Sequence, residues 1–328
     1  MKVRPLRYFR HYSTHVKLNE VVVISGARTP IGSFLGSLSS LSATQLGAVA
    51  IKAALERGCV PIEAVNEVYM GNVCQGGLGQ APARQATIFA GLPLSTESTT
   101  VNKVCASGMK AVMLASQNLM CGHQEVMLAG GMESMSNVPF YMRRGKPDLL
   151  FQEDEEFKRV NFDKFRKLPT VFQKDSGTVT AGNASTLNDG GAALLLATTS
   201  AAQRLNTKPI GRIVGFQDAA TDPIDFPIAP ALAIPKLLEK TGVKKDDVAM
   251  WEINEAFSVV VLANQKMLDI DPCKVNIHGG AVSLGHPIGM SGARIILHLL
   301  YAMKPGQKGV ASICNGGGGA SSIMVERL

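Results

Sequence analysis

An α/β fold built from two duplicated halves is what this sequence predicts, and three observations carry the prediction. β-branched runs alternate with segments of helical period along most of the chain, the pattern of strands joined through crossover helices. Short matches recur at a constant separation: Leu55-Glu56-Arg57 answers Leu238-Glu239-Lys240 at 183 residues, and Ser107-Gly108 answers Ser291-Gly292 at 184. Glycine supplies 33 of the 328 residues, above the ordinary usage of about 7%, as expected where chains turn tightly or backbones touch.

The first strand is read at Val21–Ser25. Ser42 supplies an N-cap, and Leu46, Val49, Ala50, Ala53 and Ala54 follow on a helical period until Gly58. Val65–Met70 reads as a strand, and Thr99–Val104 as another that runs straight into Cys105. Ala106–Met120 has helical spacing through Met109, Val112, Met113 and Leu119, and Gly122 stops it. Val126–Ala129 is the next strand. In the second half Arg294 answers Lys110, Gly306 answers Gly122 and Val310 answers Val126 at the same separation, and Gly309–Ile313 reads as a strand. A repeat this long denotes a duplicated domain with mainly parallel sheets, not a solenoid. The division expected is a basic leader at 1–20, an N-terminal half at 21–140, a connection at 141–199 and a C-terminal half at 200–328.

Composition narrows the function. Apolar residues are 46% and charged residues 18%, enough for a real core and too little charge for disorder. No apolar run reaches the roughly 18 residues of a membrane span. The net charge of +7 includes +4 from residues 1–20, where five cations face the single acid Glu20, which leaves +3 for the rest. That excludes the concentrated basic face of a nucleic-acid binder. The leader is rich in arginine and hydroxyls, as organellar transit peptides are, with a plain basic tail as the alternative. The six cysteines form no C-x-x-C pair and no zinc spacing, which suits free thiols in a reducing compartment.

Three positions could do chemistry. Cys105 sits where a strand gives way to a helix, in a positive field that favours the thiolate. Position alone leaves both a nucleophile and a buried structural cysteine open. His286 lies in a glycine-flanked turn just ahead of a helix starting near Ser291, where an imidazole can serve as base to a thiol. Cys314 follows a strand and opens four consecutive glycines. A phosphate cradle is the rival reading there, without the following Lys-Ser/Thr or a G-x-G-x-x-G spacing. Asn254 could hold a water or an oxyanion, or simply end a strand. Between the halves an acidic run, Glu153–Glu156, precedes Lys158, Arg159, Lys164, Arg166 and Lys167. A solvated linker and a loop for a phosphorylated ligand both fit it.

At this point the sequence resembles the thiolase family. The matching segments are NKVCASGMK at 102–110, GGMESMS at 130–136, NEAF at 254–257, GGAVSLGHPIGMSG at 279–292 and CNGGGGA at 314–320. The resemblance implies a five-layer α-β-α-β-α fold from the two halves and acyl transfer in two steps. Cys105 would attack an acyl-CoA thioester with His286 as its base, and Cys314 would move a proton at carbon. Asn254 would hold a water near the enolate oxygen, and the N–H groups of Cys105 and Gly316 would receive the acyl oxyanion. CoA would be held at Arg159, Val160, Asn161, Lys164 and Ser185, and potassium at the carbonyls of Ala181, Gly182, Ala184 and Val282. The substrates implied are acetyl-CoA, acetoacetyl-CoA and CoA, with no organic cofactor, no nucleic acid and no membrane span. A homodimer and a mitochondrial matrix location are implied as well. Between Tyr141 and Glu153 the chain is shorter than the family pattern by roughly 80 residues, the loop domain that covers the pantetheine, builds tetramers and gives potassium a Tyr. An impaired scaffold, able to pair with full-length subunits, is the alternative to an active acetyltransferase.

Overall fold

A computed structural model describes residues 18–140, 168–173 and 177–328. The expected leader and the acidic-then-basic stretch of the connection therefore lie outside the described residues.

Chain order begins with β1 Val21–Arg28, β2 Gly32–Ser33, α1 Ala43–Gly58, β3 Glu67–Gly71, α2 Pro82–Phe89 and β4 Glu97–Val101. It continues through α3 Ser107–Met120, β5 Val126–Ser134, β6 Asn188–Thr198, α4 Thr199–Arg204, β7 Gly211–Ala220 and α5 Pro230–Thr241. The remainder is β8 Val248–Ile253, α6 Ser258–Leu268, α7 Ala281–Leu284, α8 Ile288–Ala302, β9 Lys308–Asn315 and β10 Gly319–Arg327. Helix α1 starts as its sequence predicts: Ser42 accepts the N–H of Gln45, and the Gln45 side chain accepts the N–H of Ser42. Its end differs. Cys59, not Gly58, takes the left-handed conformation at φ 50°, and Gly58 is small because a Cβ there would stand 2.8 Å from Ser25 Oγ.

The strands form one sheet in the order β4-β3-β5-β6-β1-β7-β10-β9-β8, with β2 beside β6. The two halves repeat one order: β3, β5, β6 and β1 of the first correspond to β8, β9, β10 and β7 of the second. They join edge to edge where Val22 and Val23 pair with Arg212 and Gly211. The sheet is mixed, not mainly parallel. The pairs β3–β4, β3–β5 and β8–β9 are parallel, while β5–β6, β6–β1, β7–β10 and β10–β9 are antiparallel. The alternation of strands and helices does not show this, because β6 and β10 each return beside the strand before them. Strand β6 falls in the span expected to connect the halves, yet it is buried along all eleven residues between β5 and β1.

Five layers follow from the packing. Helices α1 and α2 bury Ile51, Ala54 and Ala86 against the outer face of the first half. Helices α3 and α8 lie side by side in the middle, where Met109, Val112, Ile295 and Ile296 share one core with strands of both halves. Helices α5 and α6 cover the far face through Ile234, Leu237 and Val260. Among the described residues no helix is long and apolar enough to cross a membrane.

The central helices cross at the matched glycines. A Cβ on Gly108 would lie 2.7 Å from the carbonyl of Gly289, and one on Gly292 would lie 2.5 Å from the backbone N of Met109. Only glycine lets these backbones come so close, and the approach brings the first turns of α3 and α8 together.

Candidate active site

The catalytic candidates stand on turns or at strand ends. Between β4 and α3 the backbone folds sharply at Val104, which is left-handed at φ 48°, a costly conformation for a β-branched residue. The kink delivers Cys105 to the start of α3. Ser107 holds it in place: its Oγ accepts the Lys103 N–H at 2.8 Å and donates to the Val104 carbonyl at 2.5 Å. The other half clamps it too. Asp218 on β7 receives Lys103 Nζ at 2.5 Å, Lys110 Nζ at 2.7 Å and Ser321 Oγ at 2.6 Å. Burial pushes the Asp218 carboxyl up, but these three donors outweigh it and hold it at about 2.

Burial raises the Cys105 thiol above its usual value, and the backbone of Gly316 and of Cys105 itself pulls it back in part. The helix N-terminus therefore does not make a resting thiolate, as its position alone suggested, because desolvation outweighs it. The two residues expected to receive an acyl oxyanion are thus the two whose backbone favours charge on this sulfur.

Cys314 is fully buried on β9, opposite Ala320 of β10. The glycines after it are a hairpin turn, with Gly317 and Gly318 at φ 90° and 88°, and a strand follows them instead of a helix. That removes the phosphate-cradle reading. Burial first, and then the Cys105 charge, drive the Cys314 thiol up to about 12.

His286 is buried, with its N–H bonded to Asn188 Oδ1 at 2.8 Å. Its Nδ1 stands 2.6 Å from Ser291 Oγ, and Ser291 directs its own proton to the Pro287 carbonyl at 3.0 Å. The hydroxyl therefore accepts Nδ1–H, which leaves Nε2 with the lone pair. Asn254 Nδ2 faces that nitrogen at 3.4 Å, and Asn254 Oδ1 is buried without a partner among the described residues. Burial, then the Arg294 charge, lowers His286 to about 4. The imidazole is neutral and ready to accept a proton. Asn254 is tied to the second thiol's strand, since its N–H bonds the carbonyl of Ser312 at 3.0 Å.

The remaining candidates divide. Ser185 N–H bonds the Ala256 carbonyl at 3.0 Å, and Ala184 pairs with Phe257, so the segment carrying Ala181 and Gly182 lies along the NEAF turn. Val282 N–H bonds Glu255 Oε2 of that turn at 3.0 Å. Arg159, Val160, Asn161 and Lys164 lie outside the described residues.

Sequence reasoning missed four supporting groups. Ser291 sets the histidine tautomer, Asn188 fixes the histidine backbone, and Asp218 clamps the nucleophile turn. Glu133 accepts N–H groups from Asn72, Val73, Cys74 and Gly289. Burial lifts Glu133 to about 7 against those donors. Four donors and no acceptor for a proton favour its carboxylate. Only Ser291, five residues after the histidine at a helix start, carried a readable signal.

The family models for the N-terminal and C-terminal domains of thiolase match this chain, the first at residues 21–146 and 137–200 and the second at 207–327. The mitochondrial acetyl-CoA acetyltransferase of Mus musculus is 56% identical over 397 residues, covering 97% of this chain and 94% of its own. That of Homo sapiens is 53% identical over 405 residues, covering 99% and 95%. The crystal structure of Acat5 thiolase from Ascaris suum in complex with coenzyme A superposes with a TM-score of 0.89 at 39% identity, covering 94% of this chain and 100% of that one. Since 97% of 328 residues is about 318, about 79 of the 397 positions aligned with the mouse protein have no counterpart here. The two pieces of the N-terminal match meet at residues 137–146, where the sequence is short.

Proposed function

The chain belongs to the thiolase family, and from that premise we propose that it is an acetyl-CoA C-acetyltransferase. It joins two acetyl-CoA into acetoacetyl-CoA and CoA, reversibly, through an acetyl group carried on Cys105. One observation supports this above the rest: the turn carrying Cys105 and the hairpin that follows Cys314, from different halves, lie against each other, with Gly316 beside Val104.

The sulfur of Cys105 attacks the acetyl-CoA thioester. Its proton passes to Nε2 of His286 and leaves on the CoA thiol as the old C–S bond breaks. The Cys105 and Gly316 N–H groups stabilise the oxyanion between, and such donors are worth about 3 kcal/mol of barrier each. A methyl proton of the second acetyl-CoA then passes by way of Cys314, the new carbon–carbon bond forms, and the acetyl–sulfur bond breaks as Cys105 regains a proton. Holding Cys314 at about 12 makes its thiolate a strong enough base for a carbon acid, and its thiol an acid toward a carbanion in the reverse direction. Asn254 Nδ2, 3.4 Å from His286 Nε2, donates to the enolate oxygen, with His286 joining it only while Nε2 carries a proton, and Asn254 Oδ1, unpartnered among the described residues, is suited to anchoring a water.

Ser185 and the segment of Arg159, Val160, Asn161 and Lys164 would hold CoA. Potassium would be held by the carbonyls of Ala181, Gly182, Ala184 and Val282. These segments meet around Glu255, whose carboxylate is bonded to the neutral donors Asn276 and Val282 and supplies the negative charge a monovalent cation needs. The ion would add electrostatic order to that loop. A mitochondrial location, with residues 1–20 as a transit peptide, and a homodimer complete the proposal. An impaired scaffold is not favoured, since all five catalytic positions are present.

CoA-dependent cleavage of acetoacetyl-CoA by the purified chain, beside Cys105→Ala and with potassium present or absent, tests this. Turnover abolished in the variant supports it. A folded, CoA-saturated protein without turnover overturns it. A potassium response tests the cation site separately.

A further inference from the structure

A cavity of about 760 Å³ opens where the end of β1, the last turn of α1 and α8 meet. Its polar lining is Arg28, Arg57, His278, Arg294, His298 and Tyr301, with aliphatic side chains between. None of these side chains touches the reacting groups, although the Arg294 charge reaches His286. We propose that this cavity binds a phosphate-bearing small molecule.

Charge is the first argument. Three guanidiniums line one space, and among the described residues Arg28 and Arg57 have no ion pair, bonding only the carbonyls of Thr29 and Gly26. Arg294 is 4% exposed and makes no hydrogen bond among the described residues. Its ion-pair partner, Glu252, stands 3.6 Å away. A buried guanidinium left this way is costly, and the Arg28 charge bears on it as well.

The imidazoles add donors. His278 Nδ1 and His298 Nε2 are 2.8 Å apart, and Glu252 Oε1 lies 2.9 Å behind His298 Nδ1, out of line for a hydrogen bond. One buried carboxylate thus serves both Arg294 and His298, and positive charge is left in excess.

Two facing imidazoles backed by a carboxylate also resemble a metal site. The three guanidiniums argue against a cation, and no group of three ligating side chains forms among the described residues. A phosphate group fits better than a lone carboxylate, because it offers more acceptor oxygens to several forked donors. The volume is that of a ligand pocket, not of a bare ion, and the aliphatic wall suits an organic body on the phosphate.

Calorimetric titration of the full chain with phenyl phosphate, with sodium chloride keeping ionic strength constant, tests the site. Saturable binding is expected, at least tenfold weaker in the double variant Arg28→Gln/Arg57→Gln. Both arginines are exposed, so that variant should keep the parent melting temperature without ligand. If it does not fold, His278→Asn takes its place with the same expected loss. No saturable binding by the parent chain, or equal affinity in the folded variant, overturns the proposal.

Discussion

The two central helices carry the same pair near their starts and use the hydroxyls differently: Ser107-Gly108 opens α3, while Ser291-Gly292 falls three residues into α8, which starts at Ile288 and not near Ser291 as expected. In the first half Ser107 bonds backbone on both sides and fixes a strained turn around a nucleophile. In the second, Ser291 bonds the ring of a histidine and sets its tautomer. Duplication thus supplies placement, and the residue just ahead of each helix supplies chemistry. The thiols differ in the same spirit: Cys105 is half-buried at a turn, while Cys314 is fully buried on the strand that enters a hairpin.

The largest expected effect separates those thiols. Cys105→Ala should remove both half-reactions, with a loss in kcat of about 10⁴-fold or more. Cys314→Ala should lose overall turnover to a similar degree yet still release one equivalent of CoA per site from acetyl-CoA. A rapid-quench burst measures it. If the Cys314 variant also fails to acylate, the division of labour is wrong.

Next comes Asn254→Ala. It removes one side chain facing the lone-pair nitrogen of His286, so kcat should fall about 10²-fold with CoA affinity held. A fall in affinity alone, in steady-state kinetics, would make Asn254 a structural cap.

The buried histidine also writes a pH signature on stability. His286 is held at about 4 against an ordinary 6.5, so between those values the unfolded chain binds a proton that the native one refuses. Stability from this group is complete above pH 6.5 and is lost as pH falls toward 4, by up to about 3 kcal/mol. Denaturant titrations across that window, on the parent chain and His286→Asn, should show the variant with the flatter slope.

Much of the plan was legible because local signals carry it. The Ser42 cap, the period of α1, the strand-to-helix junction at Cys105 and the glycine-flanked turn at His286 are all short-range. The matched glycines 108 and 292 also announced themselves, although their reason, a backbone crossing, appears only in three dimensions. Strand β6 was not legible as part of the sheet, since its continuous apolar run lacks an alternating period. Asn188 sits on that strand, and Asp218 on β7 contacts residues more than 100 positions away. No local pattern could assign either to the site.

Placing methyl groups at the crossing probes the shared scaffold. Gly108→Ala meets the Gly289 carbonyl and Gly292→Ala meets Met109 N, at 2.7 and 2.5 Å. Each should cost about 1–3 kcal/mol, read as a lower unfolding midpoint. Similar costs on both sides would support equivalent halves, and an unaffected Gly292→Ala would show that only the first half needs the close approach.

The smallest effect expected is at the clamp between the halves. Asp218→Asn weakens the hold on Lys103 and Lys110, and because the pair is about a third exposed solvent screening keeps the cost near about 1 kcal/mol. The carboxyl sits at about 2 instead of 3.8, so its contribution is present above pH 3.8 and disappears as pH falls toward 2. In the variant that acid-side loss should vanish while stability at neutral pH drops slightly. If the clamp also positions the nucleophile, acylation by acetyl-CoA should slow several-fold while exchange at the carbon centre is spared. Equal slowing of both steps would mean that Asp218 braces the two halves together and has no preference for the Cys105 turn.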